Sequence, residues 1–581
     1  MNNLEISWIF EEIADLLEIK GEEAFKARTY RRAANTIAHL PVDLSEVRQA
    51  GQLAELPGIG KSLAAKLEEL LDTGRLVYLE RLRDEVPESL RDLMAIPGVG
   101  RRTASLLFKE LHVRSIEEVE AAARAHRIRQ LPRLGVKTEQ RILHGLQRLR
   151  SRTSRTNLGL ALPVAEGLTD LVRRFPGVNR AEYAGSARRG EETVGDLDIV
   201  ASAGDPEPVM EAFCALPFVR EVLAKGPTRS SILTQLGLQV DLRVVAKDEF
   251  VTAWHHFTGS KEHNVRLRGL ARDLGLKINE YGVFRQESGG AEEERLGVVD
   301  ETDIYAALGL SYIPPELRQD TGEVEAAAVG TIPDLIELAG IKGDLHCHSD
   351  WSDGVNTIEQ MARAARERGY EYLAIADHSQ ALAMAGGLTP EKLGNQGEVI
   401  RRLNARWDDF RLLRAIEVDI LGDGRMDLPD EVLADLDYVT ASIHSGFRQD
   451  RERLTSRIEA AMRSPHVDAI SHPTGRLIGR RDSYEVDIDR IIRQAARTGT
   501  ALEVNASPDR LDLKDQHVRQ AIASGVKIVI NTDAHEASRL AEMRFGVLTA
   551  RRGWATAADV INTKGGSELM DWLSRPKDQR R

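Results

Sequence analysis

The sequence predicts a multidomain α/β chain, and three observations carry that reading. At 581 residues it exceeds what a single core of ordinary size organises. Residues 1–150 read as short amphipathic helices broken by Gly and Pro turns, and from about 160 the texture changes to short apolar, β-rich runs such as DLDIVAS and LGLQVDLRVVA. After 341, apolar runs repeatedly end in a residue able to bind metal, with helical periodicity between them. Buried parallel strands read as unbroken apolar runs, and a β/α barrel gathers its site at the strands' C-terminal ends. This last part is therefore expected to be a β/α barrel with a converging ring of ligands.

Composition narrows the function classes. The chain is 42% hydrophobic, 29% charged and 5% aromatic, which excludes a disordered chain. No run approaches the roughly 18 apolar residues of a membrane span, and MNNLEISWIF lacks the pattern of a secretory signal. Two cysteines, Cys214 and Cys347, fit a reducing compartment, so a cytoplasmic protein is expected. The net charge of -12 does not exclude nucleic acid, because binding depends on local basic surface and arginine is dense over 101–155.

The helical part repeats a phrase. ELPGIGKSLAAKL (55–67) and AIPGVGRRTASLL (95–107) share Pro-Gly-apolar-Gly, and a fainter LPRLGVKTEQRIL starts at 131. The shared phrase resembles the helix-hairpin-helix motif, which implies that Gly58, Gly60, Gly98 and Gly100 let backbone N–H groups point at DNA phosphates without reading base sequence. The alternative is that these glycines only cap helices, which leaves the repetition unexplained.

In DLDIV, Asp196 and Asp198 stand two apart on an expected strand, so both carboxylates project from one face. Like charges that close call for a cation between them. Asp241, in QVDLRVV, lies on a second apolar run that can pair with the first. Carboxylates without histidine favour Mg²⁺ or Mn²⁺, and three acids on adjacent strands suit two metals that orient the attacking and leaving oxygens on phosphorus. An Asp-x-Asp alone is weak, but just upstream GSARRG (185–190) brings a glycine, a hydroxyl and paired arginines able to cradle a triphosphate.

The order GSARRG, DLDIV, VDLRVV and HFTGS (256–260) resembles the family X DNA polymerases, the polymerase beta-like nucleotidyltransferases, over residues 1–317. The resemblance implies a helical DNA-end-binding domain at 1–80, fingers at 81–155, a nucleotidyltransferase palm at 156–249, a thumb at 250–317 and a linker at 318–340. It implies that Asp196 and Asp198 hold both metals and Asp241 the catalytic one. Ser186, Arg189 and Gly190 match triphosphate contacts, Phe257 and Gly259 the sugar platform, Asn264 the incoming base and Arg268 the template side. Lys26, Tyr30 and Arg31 match part of a pocket for a 5′-phosphate at a gap. Lys66 matches a Schiff-base lysine of a lyase, but Ser62 replaces a supporting basic residue, and gap binding is the expectation. Two further departures are His256, where the family often has tyrosine, and Lys261 near the incoming base.

In GDLHCHSDWSDG (343–354), His346 and His348 share a strand face and can chelate one ion, with Cys347 on the other face. Asp353, His378, Glu417, His444, His472, Asp533 and His535 follow in similar settings. The motifs HCHSDWSDG, ADHS, IEVD, SIHSG, SHPTGR and NTDAH resemble the polymerase and histidinol phosphatase (PHP) domain, expected over 341–575, which implies a distorted β/α barrel. That resemblance implies His346, His348, Glu417 and Asp533 around one metal, Glu417 bridging to a second with His444 and His472, and Asp353, His378 and His535 at a third. Two or three Mn²⁺ or Zn²⁺ ions suit the imidazoles, and Arg476 is a candidate contact to a substrate phosphate.

Over its full length the chain thus resembles bacterial family X polymerases with a fused phosphoesterase. This implies a monomer that fills gapped or nicked DNA bearing a 5′-phosphate, using deoxynucleoside triphosphates. It also implies a 3′-5′ exonuclease, with abasic-site cleavage and contact with repair ligases or end-joining proteins as further implications. Two other readings stay open: a polymerase fused to a small-molecule phosphoesterase, and a DNA-end-binding scaffold with slow catalysis.

Overall fold

The computed structural model describes residues 155–286 and 293–580 throughout, and of the part before them residues 6, 9–10, 13–14, 16–17, 24–38, 44–49, 51–56, 59–85, 93, 99, 101–111, 113, 115–131, 134–153. The chain forms two compact units, 1–154 and 155–581. The first is helical and holds one apolar core drawn from residues between Ile6 and Leu146. Helix Lys61–Thr73 shows how the sequence sets this up: Leu63, Ala64, Leu67 and Leu70 form its buried stripe, and Gly74 closes it in the left-handed conformation with its N–H on the Leu70 carbonyl. In the third repeat of the phrase, buried Glu139 accepts hydrogen bonds from the Arg129 backbone and guanidinium.

The second unit begins with a five-stranded sheet in the order Val178–Tyr183, Asp196–Ala203, Gln239–Val245, Arg229–Thr234, Val219–Lys225. Its two central strands are parallel and the flanking pairs antiparallel. Leu197, Ile199, Val240 and Leu242 are fully buried in the core beneath. Helices Phe250–Thr258 and Lys261–Asp273 and the three-stranded sheet at 276–295 follow, over the stretch expected as the thumb. The segment expected as a linker, 318–340, is instead packed structure. Arg318 is fully buried between the Glu301 carboxylate, at 2.6 and 2.9 Å, and the Ile313 carbonyl. Helix Glu323–Ala328 adds a buried Glu323–His263 pair at 2.6 Å. An arginine that loses water keeps its charge only with such partners, so this stretch is locked to the thumb.

From Gly343 seven parallel strands run in sequence order, from Gly343–Cys347 to Ile528–Asn531, and a bridge between Cys347 and Ala534 brings the last back to the first. Their burial is nearly continuous, as unbroken apolar runs require. The crossover helices start at side-chain caps, among them Thr357, Thr389, Asp450 and Asp487. Among the described residues no helix is long and apolar enough to cross a membrane.

Barrel and palm share a core: Leu511 and Phe545 are buried with the palm's Leu158, Leu162 and Leu197. Asn157 donates to the Pro508 carbonyl, and Arg544 lies 3.1 Å from Glu166. Leu511 is fully buried and held at φ 43°, a conformation that costs a branched residue energy unless its surroundings impose it. Leu511→Ala is expected to cost about 2–5 kcal/mol through the cavity it leaves. Denaturant unfolding checks this, and an unchanged midpoint would separate palm and barrel into independent cores.

Candidate active sites

The palm acids come together as the strand pattern requires. Asp198 sits directly opposite Asp241 on the neighbouring parallel strand, and Asp196 opposite Gln239. A Cβ on Gly185 would lie 2.4 Å from the Asp198 carboxylate, and Gly185 holds φ 63°, so the first glycine of GSARRG is fixed by the acid it faces. Burial, then the charges of Asp196 and Asp241, push the Asp198 carboxyl up to about 7. Asp241 is moved the other way: burial raises it, but hydrogen bonds from Gln239, Arg229 and Ser231 together outweigh that. Arg229, 2.7 Å from Asp241, is a site neighbour that sequence reasoning missed.

A proton on Asp198 competes with a cation. Because the raised pKa favours the protonated acid, the metal-free fold loses stability as pH climbs through about 7. The concentration of divalent metal needed to fill this site is expected to rise about tenfold for each pH unit below about 7. Metal titrations at stepped pH check this, and a flat requirement would contradict it.

The remaining polymerase candidates surround this sheet. The Arg189 guanidinium donates to the Thr258 carbonyl at 2.7 Å and is paired with Glu191. The Gly190 N–H donates to the Ala187 carbonyl, and a Cβ there would meet Leu548 of the barrel at 3.2 Å. Ser186 is half-buried, and its carbonyl accepts from the Glu191 N–H. Phe257 lies under the Arg243 guanidinium at 4.3 Å. Asn264 donates to the His256 and Gly259 carbonyls, and a Cβ on Gly259 would lie 2.8 Å from the Asn264 side chain, so these two residues fix the turn between the thumb helices. Arg268 is exposed and donates to the Asn264 carbonyl, while burial lowers the His256 pKa.

In the first unit, Tyr30 belongs to the core rather than to an open pocket: it is 6% exposed and stacks on Tyr78. Lys26 is exposed on the same helix, and the Arg31 side chain lies outside the described residues. Lys66 is half-buried, 3.3 Å from the Ser62 hydroxyl and 5.1 Å from the Tyr78 ring centre. Gly60 caps helix Lys61–Thr73, and a Cβ there would meet nothing within 4 Å, so its backbone is approachable. Gly58, Gly98 and Gly100 lie outside the described residues.

All nine ligand candidates of the barrel converge at the C-terminal ends of the strands. Eight of them fall into three groups: His348, Asp353, His378 and His535; His346, His348 and Asp533; and His378, Glu417 and His444; the ninth, His472, lies 2.9 Å from Glu417. Glu417 stands 3.6 Å from His346 and 3.8 Å from His348 on one side and 3.5 Å from His444 and 2.9 Å from His472 on the other, so it lies between the two sets it was expected to bridge, with His378 at 2.8 Å as a further neighbour. His348 joins the Asp353 group, its ring stacked 4.1 Å from that of His535. His472 (φ 29°) and Asp533 (φ 53°) occupy the left-handed region, which for each costs on the order of 1–3 kcal/mol, and the Asp533 N–H bonds the His346 carbonyl.

These groups fit cations. His348 Nδ1 and His472 Nδ1 are buried without hydrogen-bond partners, an arrangement that otherwise costs heavily. Burial would raise Glu417, but His444, His346 and His378 hold it well below the usual carboxylate range. Burial and the neighbouring His535 and His378 push His348 down to about 3, whereas Glu417 and Asp353 overcome burial and lift His378 to about 10. Sequence reasoning missed Glu503, whose carboxylate lies 2.8 Å from His346 Nδ1 and leaves Nε2 free to ligate. Its signal was an acid inside the apolar run ALEVN. Asp377 was also missed; it receives the Ser349 N–H and the Ser349, Ser352 and Gln396 side chains and so shapes the SDWSDG loop. Arg476 is tied to Glu192 of the palm at 2.7 Å and to the Leu511 carbonyl.

Family models match in four stretches: a helix-hairpin-helix domain at 1–76, a SAM-like helix-hairpin-helix tandem at 90–148, the DNA polymerase beta thumb at 253–319 and the PHP domain at 344–507. A Bacillus subtilis protein described as DNA polymerase/3'-5' exonuclease PolX is 41% identical over 577 residues, 99% of this chain and 100% of that one. DNA polymerase lambda of Rattus norvegicus is 26% identical over 342 residues, 54% of this chain and 56% of its own. A probable phosphatase of Thermoanaerobacter is 28% identical over 245 residues, 40% of this chain and 95% of its own. With a relative matched over its full length and with helix-hairpin-helix, polymerase beta thumb and PHP models all matched, the chain belongs to the bacterial family X DNA polymerases that carry a C-terminal PHP domain.

Proposed function

We propose that the chain is a gap-filling DNA polymerase joined to a metal-dependent 3′-5′ exonuclease, both working on repair intermediates in the cytoplasm. The observation that carries this reading is the presence, in one compact unit, of the Asp198–Asp241 strand register and the barrel's histidine–carboxylate ring. Asp196, Asp198 and Asp241 would hold Mg²⁺ or Mn²⁺, which supplies Lewis acidity at the reacting phosphate. The primer 3′-hydroxyl displaces pyrophosphate from a deoxynucleoside triphosphate held by Ser186, Arg189 and Gly190. For that, the Arg189 guanidinium leaves Glu191, and Phe257, Gly259, Asn264 and Arg268 position sugar, base and template.

In the barrel, the nine ligands would hold two or three Mn²⁺ or Zn²⁺ ions. Water attacks the terminal phosphodiester, releasing a nucleotide and a shortened 3′-hydroxyl end; abasic-site cleavage would use the same chemistry. Lys26, Arg31 and the glycine turns would hold a gapped or nicked end with its 5′-phosphate, and Lys66 is assigned to that binding rather than to a lyase. A monomer is the working state, and repair ligases or end-joining proteins are the partners such ends call for.

The phosphatase relative, which matches the barrel portion alone, favours a second reading in which the barrel hydrolyses a small phosphate ester. Competition separates the two. Hydrolysis of bis(p-nitrophenyl) phosphate is expected to be inhibited by an oligonucleotide with a free 3′ end, and indifference to DNA would favour the small ester.

A further inference from the structure

Two loops leave the barrel's metal cluster side by side. One begins at His444 and the other at His472, and they enclose a cavity of about 510 Å³ lined by Phe447, Arg448, Arg481 and Tyr484. Phe447 and Tyr484 lie nearly parallel, at 13° with ring centres 5.8 Å apart, and the Arg481 guanidinium lies over Phe447 at 4.6 Å. The cavity is adjacent to the cluster, because Phe447 is only three residues beyond His444 and a chain spans at most about 3.6 Å per residue.

The walls are held in place before any ligand arrives. Buried Arg457 donates to the Ser445 carbonyl and the Gln449 side chain, fixing the first loop. In the second, Arg481 donates to the Gly475 carbonyl and the Tyr484 N–H to the Thr474 carbonyl. A Cβ on Gly475 would lie 2.1 Å from the Tyr484 ring, so that glycine is dictated by the aromatic wall. Asp450, also at the cavity, is committed to capping helix Arg451–Arg463, and Asp482 and Glu485 sit exposed at the rim.

A cationic group links cavity and cluster. Arg510 lies 3.5 Å from Asp533, and its Nη1 is buried without a hydrogen-bond partner. Burial, followed by the charge of Arg510, lowers the Arg481 pKa, so two guanidinium groups repel one another at the site's mouth. An anionic ligand running from the cluster to the cavity relieves both conditions. Stacked aromatics beside guanidinium groups are the chemistry that holds single-stranded nucleic acid without regard to sequence.

We propose that this cavity seats the base next to the scissile nucleotide on a single-stranded 3′ end, extending the Tyr484–Phe447–Arg481 stack, with Arg510 facing the intervening phosphate. The inference rests on the exonuclease reading of the barrel and deepens it: the site selects a frayed strand of at least two nucleotides. The test compares kcat/KM for a single-stranded oligonucleotide with kcat/KM for bis(p-nitrophenyl) phosphate, which carries neither sugar nor base. Phe447→Ala is expected to lower the ratio of the two about tenfold, mainly through KM for the oligonucleotide, and Phe447→Tyr to retain it. An unchanged ratio in Phe447→Ala, whether both activities persist or both fall, would overturn the subsite alone. Wild-type protein that hydrolyses the ester and leaves the oligonucleotide intact would overturn the exonuclease reading and the subsite with it.

Discussion

Asp241→Asn is expected to lower nucleotide addition by about 10³-fold or more, equivalent to ~4 kcal/mol of lost transition-state stabilisation, while 3′-end trimming stays within about twofold of the parent. The asymmetry follows from where Asp241 sits. It pairs in register with Asp198 and holds its charge through Gln239 and Arg229, whereas Asp198 without metal is pushed up to about 7. Removing the Asp241 charge leaves Arg229 as an unopposed cation facing the metal position. Single-turnover incorporation on a gapped primer, with trimming followed on the same preparation, checks the prediction. Equal loss of both activities would indicate a folding defect instead.

Glu417→Gln should have the converse effect. Glu417 is buried among His346, His348, His378, His444 and His472, all within 3.8 Å, and is the carboxylate of the group formed with His378 and His444. The amide keeps the shape and removes the charge. Trimming is expected to fall about 10³-fold, the bound metal content to drop by about one ion, and gap filling to persist. In the metal-free protein, His378 loses the partner that lifts it to about 10, and breaking such a buried pair typically costs about 3–5 kcal/mol. Elemental analysis together with paired activity assays reads this out. Retained metal content with lost trimming would place Glu417 outside the ligand set.

Much of this was legible in the sequence because the decisive groups end strands. Asp196, Asp198 and Asp241 sit on apolar runs, and most of the nine barrel candidates end such runs, so period and chain order carried them to one place. That His348 stands in two groups at once was less legible. His346 and His348 share a strand face, but about 6.6 Å of rise separates their backbones. Their Nε2 atoms nonetheless meet at 3.2 Å, while the His348 ring also lies against those of His378 and His535, ring centres 4.4 and 4.1 Å away, and Glu503 holds His346 from behind.

Roles shared by one residue type were also hidden. SHPTGR suits a phosphate contact, but Arg476 pairs with Glu192 of the palm, while Arg510, in a loop without a ligand motif, points at Asp533. Tyr30 matched a phosphate pocket by motif and packs into a core by hydrophobicity. The palm–barrel junction at Leu511 and Phe545 left no trace, because an apolar residue names no partner.

The central claim is that one chain shortens and then extends the same 3′ end. The most direct test follows a labelled primer with a mismatched 3′ end on gapped duplex bearing a 5′-phosphate, in Mn²⁺, before and after deoxynucleotides are added. The account predicts shortening first and filling of the gap afterwards, with shortening lost in Glu417→Gln and filling lost in Asp241→Asn. Filling without any shortening by the parent protein would contradict it and leave the barrel's substrate elsewhere than on DNA.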